Sequence, residues 1–270
     1  MKLSELGELG LLAELERRGL AEGIENDAAE LDDGRIATQD ALVEGVHFRL
    51  DWITWRDLGY RAAAVNISDL SAAGAEPEGL IVSLGLPGDA ELADVLELYE
   101  GIRETGVPVL GGDTTAADRV YLSVTALGRS DRVPGRAGAK PGDLIVVTGP
   151  LGAAGAAFRE QRFFRPPIRT EEGRDLARAA HAMLDISDGL EQDLGHLATR
   201  SGVRCVVELE RVPLADGATI EDLGFGEDYE LLAAVPTEMF HVIGRCETGE
   251  GVELFRYGVS VQLGGWEHFS

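Results

Sequence analysis

Hydrophobic and polar residues alternate in two spacings along this chain, and the stretch over residues 183–202 shows both. A short apolar run ends at Asp185, and leucines then recur at the spacing of one helix face. This pattern predicts a strand, a turn and a helix, with Gly202 placed to cap the helix end. Asp188 and Glu191 have the spacing of a capping box, so Asp188 has a structural interpretation beside a functional one. Asp185 lacks that structural role, and open α/β sheets bind ligands where their strands end.

The same two periodicities divide the rest of the chain. Helical spacing predicts helices over residues 1–23, 54–73, 89–105 and 171–181. Apolar runs predict strands at residues 34–40, 80–86, 107–110, 120–127, 144–148, 203–209 and 229–235. This mixture indicates an α/β protein. Residues 130–143 are rich in Gly, Pro and Arg, which predicts a domain boundary there.

Aspartates stand where predicted strands and turns end, or on the apolar face of a helix. Asp40 and Asp113 follow strand signals, and two glycines before Asp113 allow backbone to approach a ligand closely. Asp69 falls on the core face of the 54–73 helix, where a carboxylate is costly unless it is paired or bound to metal. The full set is Asp27, Asp40, Asp69, Asp113, Asp185 and Asp188.

Convergence of these acids would require cations, because like charges in one pocket repel each other. Oxygen ligands without a His or Cys cluster favour hard ions, and Mg²⁺ characteristically binds carboxylates together with substrate phosphates. The sequence therefore predicts a magnesium-dependent site that binds a phosphorylated ligand.

Composition excludes several classes of protein. The chain carries 48 acidic against 24 basic residues, a net charge of −24, which repels nucleic acid and anionic membranes. No apolar run approaches the roughly 18 residues of a membrane span, and glutamates among the first leucines argue against a secretory signal. We therefore expect a cytoplasmic protein without a nucleic-acid or membrane partner.

Absent motifs narrow the function further. Lys2 and Lys140 are the only lysines, and neither lies in a P-loop or protein-kinase motif. No G-x-S-x-G motif of an α/β serine hydrolase occurs. Cys205 and Cys246 lack metal-type spacing, so we expect two small buried side chains rather than a disulfide or a nucleophile.

Seven motifs resemble, in order along nearly the whole chain, those of the thiamine-monophosphate kinase family, part of the superfamily that includes aminoimidazole ribonucleotide synthetase. They are D-A-L-V-E-G-V-H-F (40–48), A-V-N-I-S-D-L (64–70), G-G-D-T-T (111–115), G-A-K-P-G-D (138–143), L-D-I-S-D-G-L (184–190), G-E-D-Y-E-L (226–231) and G-W-E-H-F (265–269). The resemblance implies ATP-dependent phosphorylation of thiamine monophosphate to thiamine diphosphate.

The resemblance also implies a two-domain α/β (α+β) fold with a mixed β-sheet flanked by helices in each domain. Residues 1–135 would bind ATP and Mg²⁺ and form a homodimer, with ATP near the dimer interface. Residues 136–270 would complete the active site.

Positions matched to the family motifs imply roles for individual residues. Several Mg²⁺ ions would be held by Asp27, Thr38, Asp40, Asp69, Asp113 and Asp185, with Asp188 on a further ion. ATP would contact Gly112, Asp113, Arg136 and Ser187. Thiamine monophosphate would contact His47, Glu227 and Trp266.

The implied catalytic residues are Asp40, Asp113 and Arg136. The acceptor would be a phosphate oxygen that is already ionised at neutral pH, so positioning and charge neutralisation suffice without a strong general base. A thiazolium cation suits the aromatic face of Trp266 and the carboxylate of Glu227.

The chain departs from the family pattern at two positions. It has Asn26 before Asp27 where an acidic pair is expected, and Gln39 where a second Thr is common. Two alternatives stay open. One is another ATP-using enzyme of the superfamily, making an aminoimidazole, a selenophosphate or a hydrogenase-maturation intermediate, although Cys205 and Cys246 match neither cysteine expected in the last two. The other is a non-catalytic Mg-nucleotide-binding protein.

Overall fold

The structure is a computed structural model that describes residues 2–21 and 26–266. The helices are α1 (Leu3–Arg17), α2 (Trp55–Ala72), α3 (Leu92–Arg103), α4 (Ala153–Arg159), α5 (Thr170–Ala177) and α6 (Leu190–Ser201). The strands are β1 (Ala29–Glu30), β2 (Arg35–Val43), β3 (Glu76–Leu86), β4 (Val109–Ala116), β5 (Tyr121–Arg129), β6 (Leu144–Val147), β7 (Ala182–Asp185), β8 (Arg204–Glu208), β9 (Leu231–Val235), β10 (His241–Glu247), β11 (Gly251–Arg256) and β12 (Val259–Val261).

These strands form two mixed sheets, one in each half of the chain. The first has five strands in the order β1-β2-β5-β3-β4, and the second has seven in the order β12-β11-β8-β10-β6-β9-β7, within the described residues. In the first sheet β3 pairs in parallel with β4 and antiparallel with β5. The α/β architecture predicted from the sequence is confirmed.

Helix α2 covers the inner face of the first sheet. Leu58, Ile67 and Leu70 of α2 are fully buried in one core with residues of β3 and β5. Burying each such leucine contributes about 2 kcal/mol. Helix α3 crosses α2 closely, since a Cβ on Gly59 would lie 1.8 Å from the Leu98 carbonyl oxygen and one on Gly101 1.8 Å from that of Arg56.

The same helix also contacts the second sheet. Ala72, near its end, packs in a cluster with Met183 of β7 and Leu231 of β9. Gly173 of α5 lies so close to the backbone of Ser71 that a Cβ there would approach the Ser71 oxygen to 2.3 Å. Because α2 packs on both sheets, its polar positions lie at the junction of the two halves.

Local signals at the ends of α2 predicted its bounds. The Thr54 hydroxyl accepts a hydrogen bond from the Asp57 N–H, and Gly74 adopts a left-handed φ of 63° just after the last turn.

No helix in the described part of the chain has the length and apolar character needed to cross a membrane. Cys205 and Cys246 are buried, unbridged and opposite each other on β8 and β10.

Three predicted bounds were wrong. Helix α1 ends at Arg17 rather than at residue 23, because Gly19 adopts a left-handed φ of 66° soon after it; residues 22–25 lie outside the described residues. Strand β2 continues through Asp40 to Val43, because its pairing with β5 extends that far. Strand β4 runs through the whole 111–115 motif, paired with β3, so Asp113 lies within a strand rather than after one.

The predicted capping box at α6 is also wrong. Gly189 occupies the N-cap, and no side chain caps the helix there. The Asp193 carboxylate accepts hydrogen bonds from the N–H groups of Asp188 (3.1 Å) and Gly189 (3.0 Å). The carboxylate of Glu191 instead accepts from the Leu263 and Gly264 N–H groups. Asp188 therefore does not cap α6.

Candidate active site

A cavity of about 900 Å³ lies where the two halves meet. It is lined by side chains of β2, α2, the turn between β7 and α6, α6 itself and the 225–229 turn. Eleven of the thirteen candidate residues line it: Asp27, Thr38, Asp40, His47, Asp69, Arg136, Asp185, Ser187, Asp188, Glu227 and Trp266. Gly112 and Asp113 are the two candidates that do not.

Three carboxylates from distant parts of the chain converge at the base of this cavity. Ligand oxygens of Asp27, Asp69 and Asp185 lie within 4.8 Å of one another. Asp69 comes from the last turn of α2, and Asp185 ends β7. Thr38 of β2 holds the group together, since its hydroxyl donates to Asp69 Oδ2 at 2.6 Å and lies 3.0 Å from the Asp27 carbonyl oxygen.

Two further side chains support the cluster. The Ser68 hydroxyl donates to Asp185 Oδ2 at 2.5 Å. Arg136 donates to Asp27 Oδ1 through Nη2 (2.5 Å) and Nε (3.0 Å). The Arg136 N–H donates to Asn26 Oδ1 at 3.0 Å, so the amide that replaces an expected acid holds the linker beside the cluster.

The electrostatics of the cluster favour a bound cation. Burial, with the charges of Asp40 and Asp185, raises the pKa of Asp69 well above its ordinary value. Burial and the Asp27 charge raise the pKa of Asp185 to about 8. Burial, Asp27 and Asp188 raise the pKa of Asp40 to about 6. Closely spaced oxygen donors that resist ionisation when no cation is bound fit a hard divalent ion.

A second group of ligand atoms adjoins the first. Atoms of Asp188, Asp193 and His196 also lie within 4.8 Å of one another. Burial and the charge of Arg136 lower the pKa of His196 to about 4, so its imidazole is neutral at pH 7. The sequence patterns did not indicate Asp193 or His196 as site residues, although both lie on α6 within one turn of each other.

The turn that carries Ser187 and Asp188 is tied to both substrate-contact candidates of the second half. The Glu227 N–H donates to the Ser187 carbonyl oxygen, and the Trp266 N–H to that of Asp188, each at 2.9 Å. Trp266 is the last described residue of its motif; the other predicted members, residues 267–269, lie outside the described residues. Backbone hydrogen bonds thus connect the turn that carries Ser187, a predicted ATP contact, directly to Glu227 and Trp266, the predicted contacts of thiamine monophosphate.

An aromatic wall of Trp52, Phe158 and Phe225 lines the same cavity. The rings of Trp52 and Phe158 pack edge to face with centroids 5.7 Å apart, and those of Phe158 and Phe225 are 4.8 Å apart. Phe158 is 53% exposed, so much of its ring is open to the cavity and to solvent. The three residues are distant in sequence, so local periodicity did not reveal them.

Arg61 and Tyr229 also line the cavity without having been predicted. Arg61 lies four residues before Val65 and eight before Asp69 on the buried stripe of α2. The rule that identified Asp69, a charge on an apolar face, therefore identifies Arg61 as well. Tyr229 follows Glu227 in a turn where both residues have left-handed φ, 53° and 59° respectively.

The geometry of the first sheet explains why Asp113 is outside the cavity. Asp113 is paired with Ser83, and Ser83 with Ser123, so these side chains share the outer face. Asp40 is paired with Val124, whose buried side chain belongs to the inner face. Gly112 uses its missing Cβ within the sheet, because a Cβ there would lie 1.8 Å from the Val82 carbonyl oxygen.

Comparison with known proteins places the chain in a family. Residues 25–130 match the family described as AIR synthase related protein, N-terminal domain, and residues 140–254 its C-terminal domain. The thiamine-monophosphate kinase of Aquifex aeolicus is 34% identical over 100% of both chains. The structure of AaThiL complexed with AMPPCP and TMP has a TM-score of 0.90 at 34% identity, covering 99% of both chains. A chain of a HypE–HypF complex, at 20% identity and a TM-score of 0.77, shares the fold over 93% of this chain and 98% of that one.

Proposed function

The chain belongs to the thiamine-monophosphate kinase family of AIR synthase related proteins, and from this premise we propose that it transfers the γ-phosphate of ATP to thiamine monophosphate. An oxygen of the acceptor phosphate forms the new bond to the γ-phosphorus, and the bond from that phosphorus to the β-phosphate oxygen breaks, giving thiamine diphosphate and ADP. The observation that carries this proposal is the single cavity in which the acidic cluster and the candidate substrate contacts meet.

The metal ligands we propose are Asp27, Thr38, Asp40, Asp69 and Asp185, with Asp188 on a further ion. Bound there, Mg²⁺ would cancel carboxylate charge and coordinate phosphate oxygens. The chain's own part is to hold these oxygens close together in a buried place, at the cost of raised pKa values. This arrangement supports binding of a triphosphate by a protein of strongly negative net charge.

We propose that Arg136 and Ser187 contact the phosphates of ATP. Arg136 is fixed by Asn26 and Asp27 at the edge of the cluster and provides a permanent positive charge. The Ser187 hydroxyl stands in the turn between β7 and α6. The acceptor oxygen is ionised already, so these residues need only align the two phosphates and offset their charge.

The acceptor binds, in this proposal, between Trp266, Glu227 and His47. A thiazolium cation is attracted to the face of an indole and to a carboxylate. The His47 ring is held by the Val43 N–H, which donates to Nδ1 at 3.0 Å and leaves the proton on Nε2. The aromatic wall of Trp52, Phe158 and Phe225 offers further apolar surface to the two rings of thiamine.

A homodimer would supply the missing Asp113. Strands β2 and β4 are separated by β5 and β3, a distance of about 14 Å at ordinary strand spacing, so one chain does not bring Asp113 to Asp40. The outer face of the sheet carries the exposed Ile81, and the edge strand β4 is exposed along its whole length. An uncovered face and an unpaired edge favour association, so we propose that Gly112 and Asp113 of one copy contact ATP in the site of the other.

A substrate panel tests the proposed function. Purified protein is incubated with Mg-ATP and, in turn, thiamine monophosphate, thiamine, an aminoimidazole precursor and selenide, and every phosphorylated product is separated by chromatography. We expect thiamine diphosphate and ADP in equal amounts from thiamine monophosphate alone. A different product would favour another enzyme of the superfamily, and ATP binding without ADP release would favour a non-catalytic protein.

The cytoplasmic location stays a prediction from the sequence.

A further inference from the structure

Arg61 joins the two halves of the chain at the acceptor end of the cavity. Its Nη1 donates to the His47 carbonyl oxygen at 2.8 Å, and its Nη2 forms a short ion pair with Glu227 Oε1. The Arg61 side chain is 8% exposed, whereas that of Glu227 is 33% exposed. One buried guanidinium therefore contacts two residues that come from opposite domains and that both line the cavity.

The two contacts link a turn of the first half of the chain to a turn of the second half. His47 belongs to the turn after β2, and Glu227 to a turn in which three of four residues have left-handed φ: 83° at Gly226, 59° at Glu227 and 53° at Tyr229. Arginine suits this bridge because its planar fork reaches two acceptors at fixed angles. Moving either turn relative to α2 would break one of the two contacts.

A purely stabilising role does not account for this position. A buried charge pair gives little net stability compared with apolar residues of the same volume, so a contribution to net stability does not by itself explain a charged pair at this place. The chain contains a comparison in Arg169, which pairs with the buried Glu230 through two hydrogen bonds of 2.7 and 2.5 Å. Neither Arg169 nor Glu230 is among the described residues that line the cavity.

We propose that Arg61 is a positioning residue for the acceptor: it sets the separation of the His47 and Glu227 turns and thereby the affinity for thiamine monophosphate, but not for ATP. The inference rests on the proposed function. It assigns the discrimination of the acceptor to a contact across the domain junction, in addition to the side chains that meet the substrate.

The test uses Arg61→Met, Arg61→Lys and Glu227→Gln in the full-length protein. We expect Arg61→Met to raise the KM for thiamine monophosphate about tenfold and to leave the KM for ATP within about twofold. Arg61→Lys keeps the charge and loses the fork, so it should restore only part of the affinity. The double variant Arg61→Met with Glu227→Gln should raise the KM by less than the product of the two single effects, because one of the two contacts of Arg61 is made with Glu227.

Arg169→Met is the control, because it removes another partly buried arginine–glutamate pair, one that does not line the cavity. It should lower the melting temperature without changing the ratio of the two KM values. The wild-type reaction is measured first, and absence of thiamine diphosphate there rejects the proposed function itself. With an active wild type, equal shifts of both KM values in Arg61→Met, or additive effects in the double variant, would overturn the role of Arg61 alone.

Discussion

The surroundings of Asp69 and Asp185 at the base of the cavity disfavour the ionised form of each side chain. Asp69 and Asp185 are surrounded by other acids and shielded from water, and their raised pKa values express that cost. Such a cluster is retained in a folded protein when a cation offsets it. In the proposed function, the cluster lowers the stability of the metal-free protein and binds a divalent ion in return.

This trade predicts a pH dependence of stability. An acid whose pKa is raised on folding imposes no penalty below its unfolded pKa and destabilises the protein as pH rises toward the folded value, here from about pH 4 to about 8 for Asp185. Mg²⁺ should therefore raise the melting temperature more at pH 8 than at pH 5.5, where protons compete with it. Calorimetry with Mg²⁺ and with EDTA at both pH values measures this difference.

Asp185→Asn is the matching variant, because the amide oxygen still accepts from Ser68 without carrying charge. Without metal at pH 8 it should be more stable than the wild type by on the order of 1–3 kcal/mol, and its stabilisation by Mg²⁺ should be largely lost. Equal stabilisation of variant and wild type by Mg²⁺ at both pH values would show that the cluster does not bind the ion.

Trp266 gives a prediction about the acceptor. Trp266→Ala removes an aromatic face for the thiazolium ring and should raise the KM for thiamine monophosphate about tenfold while changing the KM for ATP much less. Initial rates over a grid of both substrates measure the two constants. Similar increases in both would place Trp266 elsewhere than at the acceptor.

Among the elements, the turn between β7 and α6 connects Ser187, the proposed ATP contact, with the proposed acceptor contacts Glu227 and Trp266. Asp193 is 1% exposed, and its carboxylate accepts from two N–H groups of this turn, the partly buried one of Asp188 and the buried one of Gly189. The carbonyl groups of the turn in turn accept from Glu227 and Trp266. One side chain of α6 thus fixes the backbone on which ATP and acceptor candidates converge.

Asp193→Ala should cost about 1–3 kcal/mol of stability, because it removes the acceptor of one buried and one partly buried N–H group. It should also lower kcat, since Ser187 and Asp188 lose their fixed position. Asp193→Asn keeps an acceptor and serves as the milder control. Urea unfolding and steady-state rates measure both effects; an alanine variant with wild-type stability would contradict this role.

Sequence patterns predicted the helices and strands better than they predicted which side chains form hydrogen bonds with one another. Asp69 and Asp185 were recognisable because each breaks an apolar pattern, and the structure brings them together with Asp27. The capping prediction at Asp188 was wrong because two other interactions form instead. Asp193 accepts the hydrogen bonds from the N–H groups of the turn, and Glu191 accepts from Leu263 and Gly264, which lie more than 70 residues further along the chain. Local spacing contains no information about such distant acceptors.

In the whole molecule, the order of the strands determines which of the predicted site residues lie close together within one chain. No local signal places β4 at the edge of its sheet, so the sequence grouped Asp113 with the other acids although it lies on the opposite face from Asp40. In the same way, the aromatic wall and the Arg61 bridge join segments from both halves. Their identification required the packing of α2 between the sheets.

The proposed sharing of the site between two copies predicts subunit complementation. Asp40→Asn and Asp113→Asn should each be inactive alone. After subunit exchange in an equimolar mixture, half of the dimers are mixed and each contains one intact site, so about a quarter of wild-type activity should return. Differently tagged chains, co-purified, verify the exchange. Complete exchange without recovered activity would place both aspartates in the site of one chain.

In the proposed mechanism, aspartates from both halves form one metal site at which thiamine monophosphate is phosphorylated. Thiamine diphosphate formation is measured directly, by chromatography, as Mg²⁺ is titrated into wild type, Asp69→Asn and Asp185→Asn, with circular dichroism verifying the fold. We expect a Mg²⁺-dependent product in the wild type and a loss of rate of at least about a hundredfold in both variants. Wild-type rates in both folded variants would contradict it.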